Sequence, residues 1–226
     1  MESSPSNMAA LYSDILAKME TARFGKAAMK AFIAWTTYAF RPLSVTEIKT
    51  PIEMDINDKI DDVERTIARC CGNLLYVDQY ERIQLVHATA REFFTREGIE
   101  SEFIIRKTEG HRHLAIVCLR FLMQSSPQPA AGARRLGSEP DIIPRSKGRS
   151  PASQPPPRTL EPFTDYASEF VFQHLTYVHS NDEELLTMLS NFLRSTNLLR
   201  WVEFNAANGD LRVIYQAGKT INALVG

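Results

Sequence analysis

The chain has 226 residues, 44% of them hydrophobic, so it is long enough to bury a core of its own. Its 26 Lys and Arg residues nearly balance 27 Asp and Glu residues, which excludes an overall field drawing the protein to nucleic acid or anionic membrane. Three cysteines make no disulfide framework, and neither a bilayer-spanning apolar stretch nor a secretory leader is recognisable. We therefore expect a cytoplasmic protein without membrane contact.

Composition divides the chain into four regions. Residues 1–9 are predicted to be a disordered N-terminus, and residues 10–123 a first folded region. Residues 124–160 are rich in Pro, Ser and Arg, which predicts a disordered linker. Its excess of basic residues is typical of a solvated linker, although contact with RNA or acidic partners would use the same charge. Residues 161–226 return to helical spacing.

Helical periodicity and end signals dominate the chain up to residue 72. The sequence Ser44-Val45-Thr46-Glu47 has the form of a capping box, which predicts the start of a helix. Asn57 or Asp58 is predicted to cap the next helix, and Gly72 to end it in a left-handed conformation. The apolar positions that predict helices here are Leu11, Ile15 and Met19, then Phe24, Ala28, Phe32, Trp35 and Ala39, then Ile60, Val63, Ile67, and Cys70 or Cys71.

The period then changes to that of strands. Leu75 and Val77 lie before a polar tip, and Ile83 and Leu85 lie after it, which predicts a hairpin with one buried face. Further helices are predicted from about Ala88 and from Glu109. Three helices, a hairpin and a helix behind it predict a winged-helix unit.

Beyond the linker the spacing predicts four helices, arranged as helical hairpins like those that begin an α-solenoid. Asp182 opens the second helix, and Asn208-Gly209 separates the last two. The predicted fold class is therefore mainly α: a winged-helix unit with a small β-hairpin, a disordered linker and α-helical hairpins. The apolar positions are Phe163, Tyr166, Phe170 and His174 or Leu175; Leu185, Leu189 and Phe192 or Leu193; Trp201, Val202 and Phe204; and Leu211, Ile214, Ala217, Ile221 and Leu224.

Candidate catalytic and metal-binding motifs are weak. Gly218-Lys219-Thr220 resembles the end of a phosphate-binding loop, but Val213 stands where that loop needs glycine, and we expect a solvated helical turn. His111 and His113 lie two residues apart on a predicted helix and point in different directions, so we expect no metal site. Cys70 and Cys71 are expected to be small core residues. We predict no catalytic residue and no cofactor.

A winged helix can bind DNA through the helix before its hairpin, predicted here over residues 57–71. That stretch has four acidic and three basic residues, and a net acidic helix is repelled by phosphates. We therefore expect protein contact rather than nucleic-acid binding. The charged residues are Asp58, Asp61, Asp62 and Glu64 against Lys59, Arg65 and Arg69.

Several motifs, in the same order, resemble the winged-helix region that follows the NACHT nucleotide-binding domain in fungal STAND NTPases, a region also named after GPI inositol-deacylase. The later motifs are similar to the helical stretch that leads to repeats in those proteins. The motifs are Arg41-Pro42-Leu43, Cys71-Gly72-Asn73-Leu74-Leu75, residues 85–94, His113-Leu114-Ala115 and residues 118–122, and later residues 163–167, His174-Leu175 and residues 198–203.

The resemblance implies a role for His87, at the corner between hairpin and helix. Spacing alone favours a locally hydrogen-bonded histidine. Its position is similar to the histidine of the Met-His-Asp motif, which contacts the diphosphate in related NTPases, but Val86 and Ala88 replace the neighbours. His87 is thus a candidate phosphate sensor only if a NACHT domain is supplied. That NTPase is absent from this sequence.

The leading functional hypothesis is a non-catalytic regulatory or protein-interaction module, the relay half of a STAND-type switch. Its expected partners are proteins, including a NACHT NTPase domain or a repeat domain. A DNA-binding winged-helix regulator and a passive helical scaffold remain as alternatives. The sequence does not decide between a fragment of a larger NACHT protein and a stand-alone partner.

Overall fold

The computed structural model describes residues 5–21, 25–71, 73–96, 98–99, 101–124 and 160–225. Within these ranges the chain has ten helices and one two-stranded hairpin, which confirms the mainly α winged-helix class followed by further helices. The predicted linker lies outside the described residues except at its ends, Gln124 and Leu160. None of the described helices is long and apolar enough to cross a membrane.

The first helix differs from its prediction in two respects. Helix α1 spans Pro5–Glu20, so it reaches into the stretch predicted as a disordered N-terminus over 1–9. Its buried side chains include Tyr12, Leu16 and Met19, whereas Leu11, predicted to face inward, is 49% exposed. The inner face is rotated because Tyr12 docks on α5 (Ala88–Phe94), where its ring packs 5.3 Å from the Phe93 ring.

Helices α2 (Lys26–Tyr38) and α3 (Val45–Ile56) form the centre of the winged-helix region. All side chains from Ala31 to Tyr38 are buried, as expected for a helix surrounded by others. The capping box at the start of α3 is confirmed: the Ser44 hydroxyl accepts from the Glu47 amide at 3.2 Å, and the Glu47 carboxylate accepts from the Ser44 amide at 2.8 Å.

Helix α4 is shorter than predicted, spanning only Val63–Cys70. Asn57 does not cap it, because this residue instead ends α3 with a left-handed φ of 51°. The cap is Asp62, whose carboxylate accepts from the Arg65 amide at 2.9 Å. Gly72, predicted to end α4, lies outside the described residues, and the left-handed φ of 61° found here belongs to Asn73.

The predicted hairpin is confirmed as β1 (Leu75–Val77) and β2 (Ile83–Leu85), antiparallel with Leu75 opposite Leu85. Residues 43–45 extend it on the far side of β2. The Val45 amide donates to the Glu81 carbonyl at 2.8 Å, and the Ile83 amide donates to the Leu43 carbonyl at 2.9 Å. The wing is thereby fixed to the start of α3.

Helix α6 (Lys107–Gln124) is the centre of the molecule, because the residues from Leu114 to Leu119 are all buried. α7 (Thr164–Leu175) packs along it, and α8 (Glu183–Leu193), α9 (Thr196–Ala207) and α10 (Leu211–Val225) follow. The predicted Asp182 cap is confirmed at 3.1 Å from the Leu185 amide. We call α2–α5 with the hairpin the winged-helix region and α7–α10 the helical segment; buried residues of both belong to one continuous core.

Candidate functional site

A cleft of about 940 Å³ opens between the hairpin, the end of α2, α5 and the start of α6. We call it the wing cleft. The outer face of the wing contributes the exposed apolar side chains of Tyr76 and Val86. The lining residues are 35–43, Ile48, Tyr76, 83–88, Arg91, Glu92, Thr95, Lys107 and His111. A concave surface that combines aromatic, aliphatic and charged groups is typical of a binding site.

His87 lies on the rim of the wing cleft and is exposed. It is the N-cap of α5, and its Nδ1 accepts from the Thr89 amide at 3.2 Å and lies 2.8 Å from the Thr89 hydroxyl. Because Nδ1 accepts, the neutral ring carries its proton on Nε2. Local hydrogen bonding therefore holds the ring at the corner, while within the described chain no protein atom bonds Nε2.

Three cations line the wing cleft, and they differ in their partners. Arg41 forms a two-point ion pair with Glu47 at 2.7 and 3.0 Å. Burial opposes ionisation of Glu47, but hydrogen bonds from Arg41 and Ser44 together outweigh burial and lower its pKa. Arg91 donates to the Thr36 carbonyl at 2.8 Å, and Lys107 lies 4.6 Å from the ring centre of Tyr177.

The base of the wing cleft holds a contact that joins α6 to α7. Nδ1 of His111 lies 2.8 Å from Nδ1 of His174, and the two side chains are only 4% and 0% exposed. The Tyr166 hydroxyl lies 2.9 Å from Nε2 of His174, and the same hydroxyl accepts from the Phe40 amide at 3.2 Å. These groups form a buried chain of hydrogen bonds between three elements.

The direction of that chain follows from the donors present. If the Tyr166 hydroxyl donates to Nε2 of His174, then Nδ1–H of His174 donates to Nδ1 of His111, and both of these donors have an acceptor. In the opposite direction the Tyr166 O–H has no acceptor among the contacts of the described residues. We therefore assign the first direction, with the proton of His111 on Nε2.

Aromatic rings enclose the two histidines. Phe40 stacks on His111 with ring centres 5.4 Å apart and lies 4.5 Å from His174, while Tyr177 stacks on His111 at 4.0 Å. Burial, aided by the nearby Lys107 charge, lowers the pKa of His111 to about 4. Burial, followed by the neighbouring His111, lowers the pKa of His174 well below its usual value. Both rings are neutral at pH 7.

His113 lies on another side of α6, as its spacing from His111 predicted. Its Nε2 lies 3.0 Å from Oδ2 of Asp55, and this carboxylate oxygen also accepts from the Trp35 indole at 3.0 Å. No group of three or more His, Cys, Asp or Glu side chains suited to a metal ion occurs in the described parts of the chain.

The other sequence motifs lie apart from the wing cleft. Cys71 is fully buried and Cys70 half-buried, and burial strongly raises the pKa of the Cys71 thiol. Gly218-Lys219-Thr220 lies inside α10, where Lys219 covers the Tyr215 ring at 4.7 Å. This stretch is helical and follows no strand, so it lacks the form of a phosphate-binding loop.

The predicted net acidic charge of the helix before the hairpin is wrong for α4 itself. Asp58, Asp61 and Asp62 precede α4 rather than lying on it, so the helix itself carries Glu64 against Arg65 and Arg69, all exposed. The acidic balance predicted over residues 57–71 belongs to the helix with its preceding turn, not to the helix alone. This weakens the electrostatic argument against DNA.

Sequence reasoning missed the pairing of His111 with His174, which are 63 residues apart. Helical spacing had placed His174 on an inward face, but no local pattern indicates which helix it meets. The rings that stack on His111, Phe40 and Tyr177, also come from distant parts of the chain, so no local sequence signal marks the pair.

The helices α2–α5 and their hairpin define a winged-helix domain. Residues 16–106 match the family model described as "GPI inositol-deacylase, winged helix domain". The match covers less than half of the chain and ends immediately before α6, so the helical segment lies beyond it. Searches of the curated proteins and of the solved structures found no match.

Proposed function

We propose that the protein is a non-catalytic regulatory module that acts by contact with other proteins, and that the wing cleft is its contact surface. The exposed Tyr76 and Val86 supply apolar anchors on the wing. Arg91 and Lys107 supply positive charge with no carboxylate within ion-pairing distance in the described residues. Apolar anchors beside unneutralised charge favour a partner surface with the opposite charge.

The observation that carries this proposal is the position of Phe40. Its side chain belongs to the wall of the wing cleft and also packs on α7, with its ring centre 5.6 Å from Phe170 and 4.5 Å from His174. A partner that displaces Phe40 therefore acts on the contact between the winged-helix region and the helical segment. This is the physical requirement for a relay.

The partner that we propose is the NACHT domain of a STAND-type NTPase, with a repeat domain as a further partner of the helical segment. In this arrangement Nε2 of His87 faces the phosphates of a bound diphosphate. The fixed ring orientation supports this, because the Thr89 contacts hold Nδ1 and leave Nε2–H as a donor. The nucleotide belongs to the NTPase, so the chain alone needs no cofactor.

Titration of the purified chain with ADP and with Mg-ATP tests the non-catalytic part. We expect no binding in the micromolar range and no release of phosphate. Micromolar binding with turnover would show that the chain is an enzyme and would overturn the proposal.

Photo-crosslinking tests the contact surface. A benzoylphenylalanine at Tyr76, in the wing cleft, is compared with one at Leu199, which is 65% exposed on α9 and does not line the cleft. We expect the Tyr76 position to crosslink the NACHT domain of the NTPase in ADP, with weaker labelling in ATP, and the Leu199 position to crosslink no part of the NACHT domain. Equal labelling of the NACHT domain from both positions, or none in either nucleotide, would contradict the proposal.

DNA binding is a second candidate, because Arg65 and Arg69 lie one turn apart on the exposed face of α4. Salt-dependent binding of duplex DNA that is lost in Arg65→Gln/Arg69→Gln would support it. A passive scaffold is the third. In a reconstituted complex, an unchanged nucleotide response after His87→Ala would favour that reading.

A further inference from the structure

The contact between His111 and His174 can hold only a limited number of protons. At 2.8 Å between the two Nδ1 atoms, one nitrogen must donate and the other must accept. One added proton is compatible with this geometry, because a protonated ring can still donate to a neutral one. Two protonated rings would place two N–H groups face to face, so the second proton requires the rings to separate.

The surroundings also disfavour the first proton. Both rings are buried among Phe40, Tyr166 and Tyr177, and Lys107, the charge on the same helix that acts on His111, is itself positive. Uncompensated charge in such a site is costly. The titratable and charged groups around the pair are Lys107 and Glu109 on α6, Tyr38 on α2, Arg41 after α2 with its partner Glu47 on α3, Tyr166 and Glu169 on α7, and Tyr177.

We propose that the His111–His174 pair is an acid-sensitive lock between the winged-helix region and the helical segment: neutral, it holds α6 against α7, and doubly protonated, it releases them. The position of the pair gives this consequence, since His111 is on α6 and also lines the wing cleft, while His174 is on α7. Acid would thus weaken the contact between α6 and α7, on which Phe40 also packs from the wing cleft. Neither a partner nor a nucleotide is required.

The direction of the pH effect follows from proton linkage. Both histidines have a lower pKa in the folded chain than when exposed, so the separated state binds more protons as the pH falls below about 6.5. The lock is fully closed above that pH and is lost progressively towards pH 4. Up to two protons are taken up per chain.

Two buried cysteines can report on this opening in the full chain. Cys118 lies on α6 beside Tyr166, and Cys71 lies at the end of α4, where both are fully buried. Labelling with dithiodipyridine, which reacts with thiols in acid, is followed from pH 7 to pH 4 in a Cys70→Ser background. The ratio of the two labelling rates cancels the intrinsic pH dependence of thiols.

We expect the Cys118 rate to rise at least tenfold relative to the Cys71 rate between pH 6.5 and pH 4.5. His111→Gln should roughly halve the pH dependence of the logarithm of this ratio, because only one of the two titratable rings remains, whereas the exposed His179→Gln should leave it unchanged. A rate ratio that stays constant with pH would overturn the proposal. So would a rise in the ratio that is as large in His111→Gln as in the wild type.

A second measurement on the unmodified chain covers the case in which His111→Gln does not fold. The ring signals of the five histidines are followed by NMR against pH. We expect two rings to stay neutral until α7 amides lose protection from hydrogen exchange. Two rings that protonate while α7 remains protected would show that the pair is no lock.

Discussion

Trp35 of α2 packs edge-on against Phe163, the residue that precedes α7, with ring centres 5.4 Å apart. Both side chains are completely buried, and Phe163 also contacts Phe121 of α6 at 5.0 Å. The winged-helix region and the helical segment therefore meet through aromatic packing in addition to the histidine pair. Each region completes the core of the other.

Phe163→Ala should lower the free energy of unfolding by about 3 kcal/mol, since it removes a fully buried aromatic side chain and leaves a cavity. Leu160→Ala is the matched control, because Leu160 is 41% exposed, and its effect should be within about 0.5 kcal/mol. Chemical denaturation measures both. Equal effects would mean that the contact with Trp35 contributes little.

Asp55→Ala should destabilise the chain by roughly 2 kcal/mol, because the indole N–H of the buried Trp35 would lose its acceptor. Asp55→Asn retains an oxygen acceptor and should recover part of the loss. Asp58→Ala, at an exposed aspartate, serves as the control. If Asp55→Ala unfolds at the same denaturant concentration as Asp58→Ala, the hydrogen bond does not stabilise the fold.

Glu47→Ala should cost roughly 1 kcal/mol at pH 7, because it removes half of the capping box and the partner of Arg41. The pKa of Glu47 is lowered in the folded chain, so its ionised form stabilises the fold above the unfolded-state pKa. That contribution is lost as the pH falls. The difference between wild type and variant should therefore shrink in acid. A difference that does not change with pH would contradict the ion pair.

Two helical glycines should respond to alanine with opposite signs. A Cβ at Gly110 of α6 would overlap the Tyr38 ring, so Gly110→Ala should destabilise by about 2 kcal/mol. A Cβ at Gly218 of α10 meets nothing within 4 Å, so Gly218→Ala should stabilise by roughly 0.5–1 kcal/mol. Thermal unfolding of the two variants measures both. The same sign for both would contradict the packing of α6 on α2.

The features that sequence predicts correctly are those encoded within a few residues. The capping box from Ser44 to Glu47, the Asp182 cap and the hairpin around residues 78–81 each depend on neighbours in the chain. They are therefore visible without tertiary information.

The features that sequence predicts wrongly, or misses, are set by distant contacts. The inner face of α1 depends on Tyr12 meeting Phe93. The start of α4 is an exception, because it depends on a local choice: Asn57 ends α3, and the cap of α4 is Asp62. The pairing of His111 with His174 depends on α7 lying along α6. Periodicity shows that a face is buried, but not what covers it.

We infer that the winged-helix region and the helical segment are one cooperative unit joined at α6 and α7, as a relay requires. The chain has two tryptophans, Trp35 in the first and Trp201 in the second. Fluorescence of Trp201→Phe and of Trp35→Phe during chemical denaturation follows each region separately.

We predict a single unfolding transition in each variant. The m-values of the two variants should agree, and in each variant the midpoint followed by fluorescence should coincide with the midpoint followed by circular dichroism. Two regions that unfold at clearly different denaturant concentrations would contradict the claim, because independent regions cannot pass a signal from the wing cleft to α7.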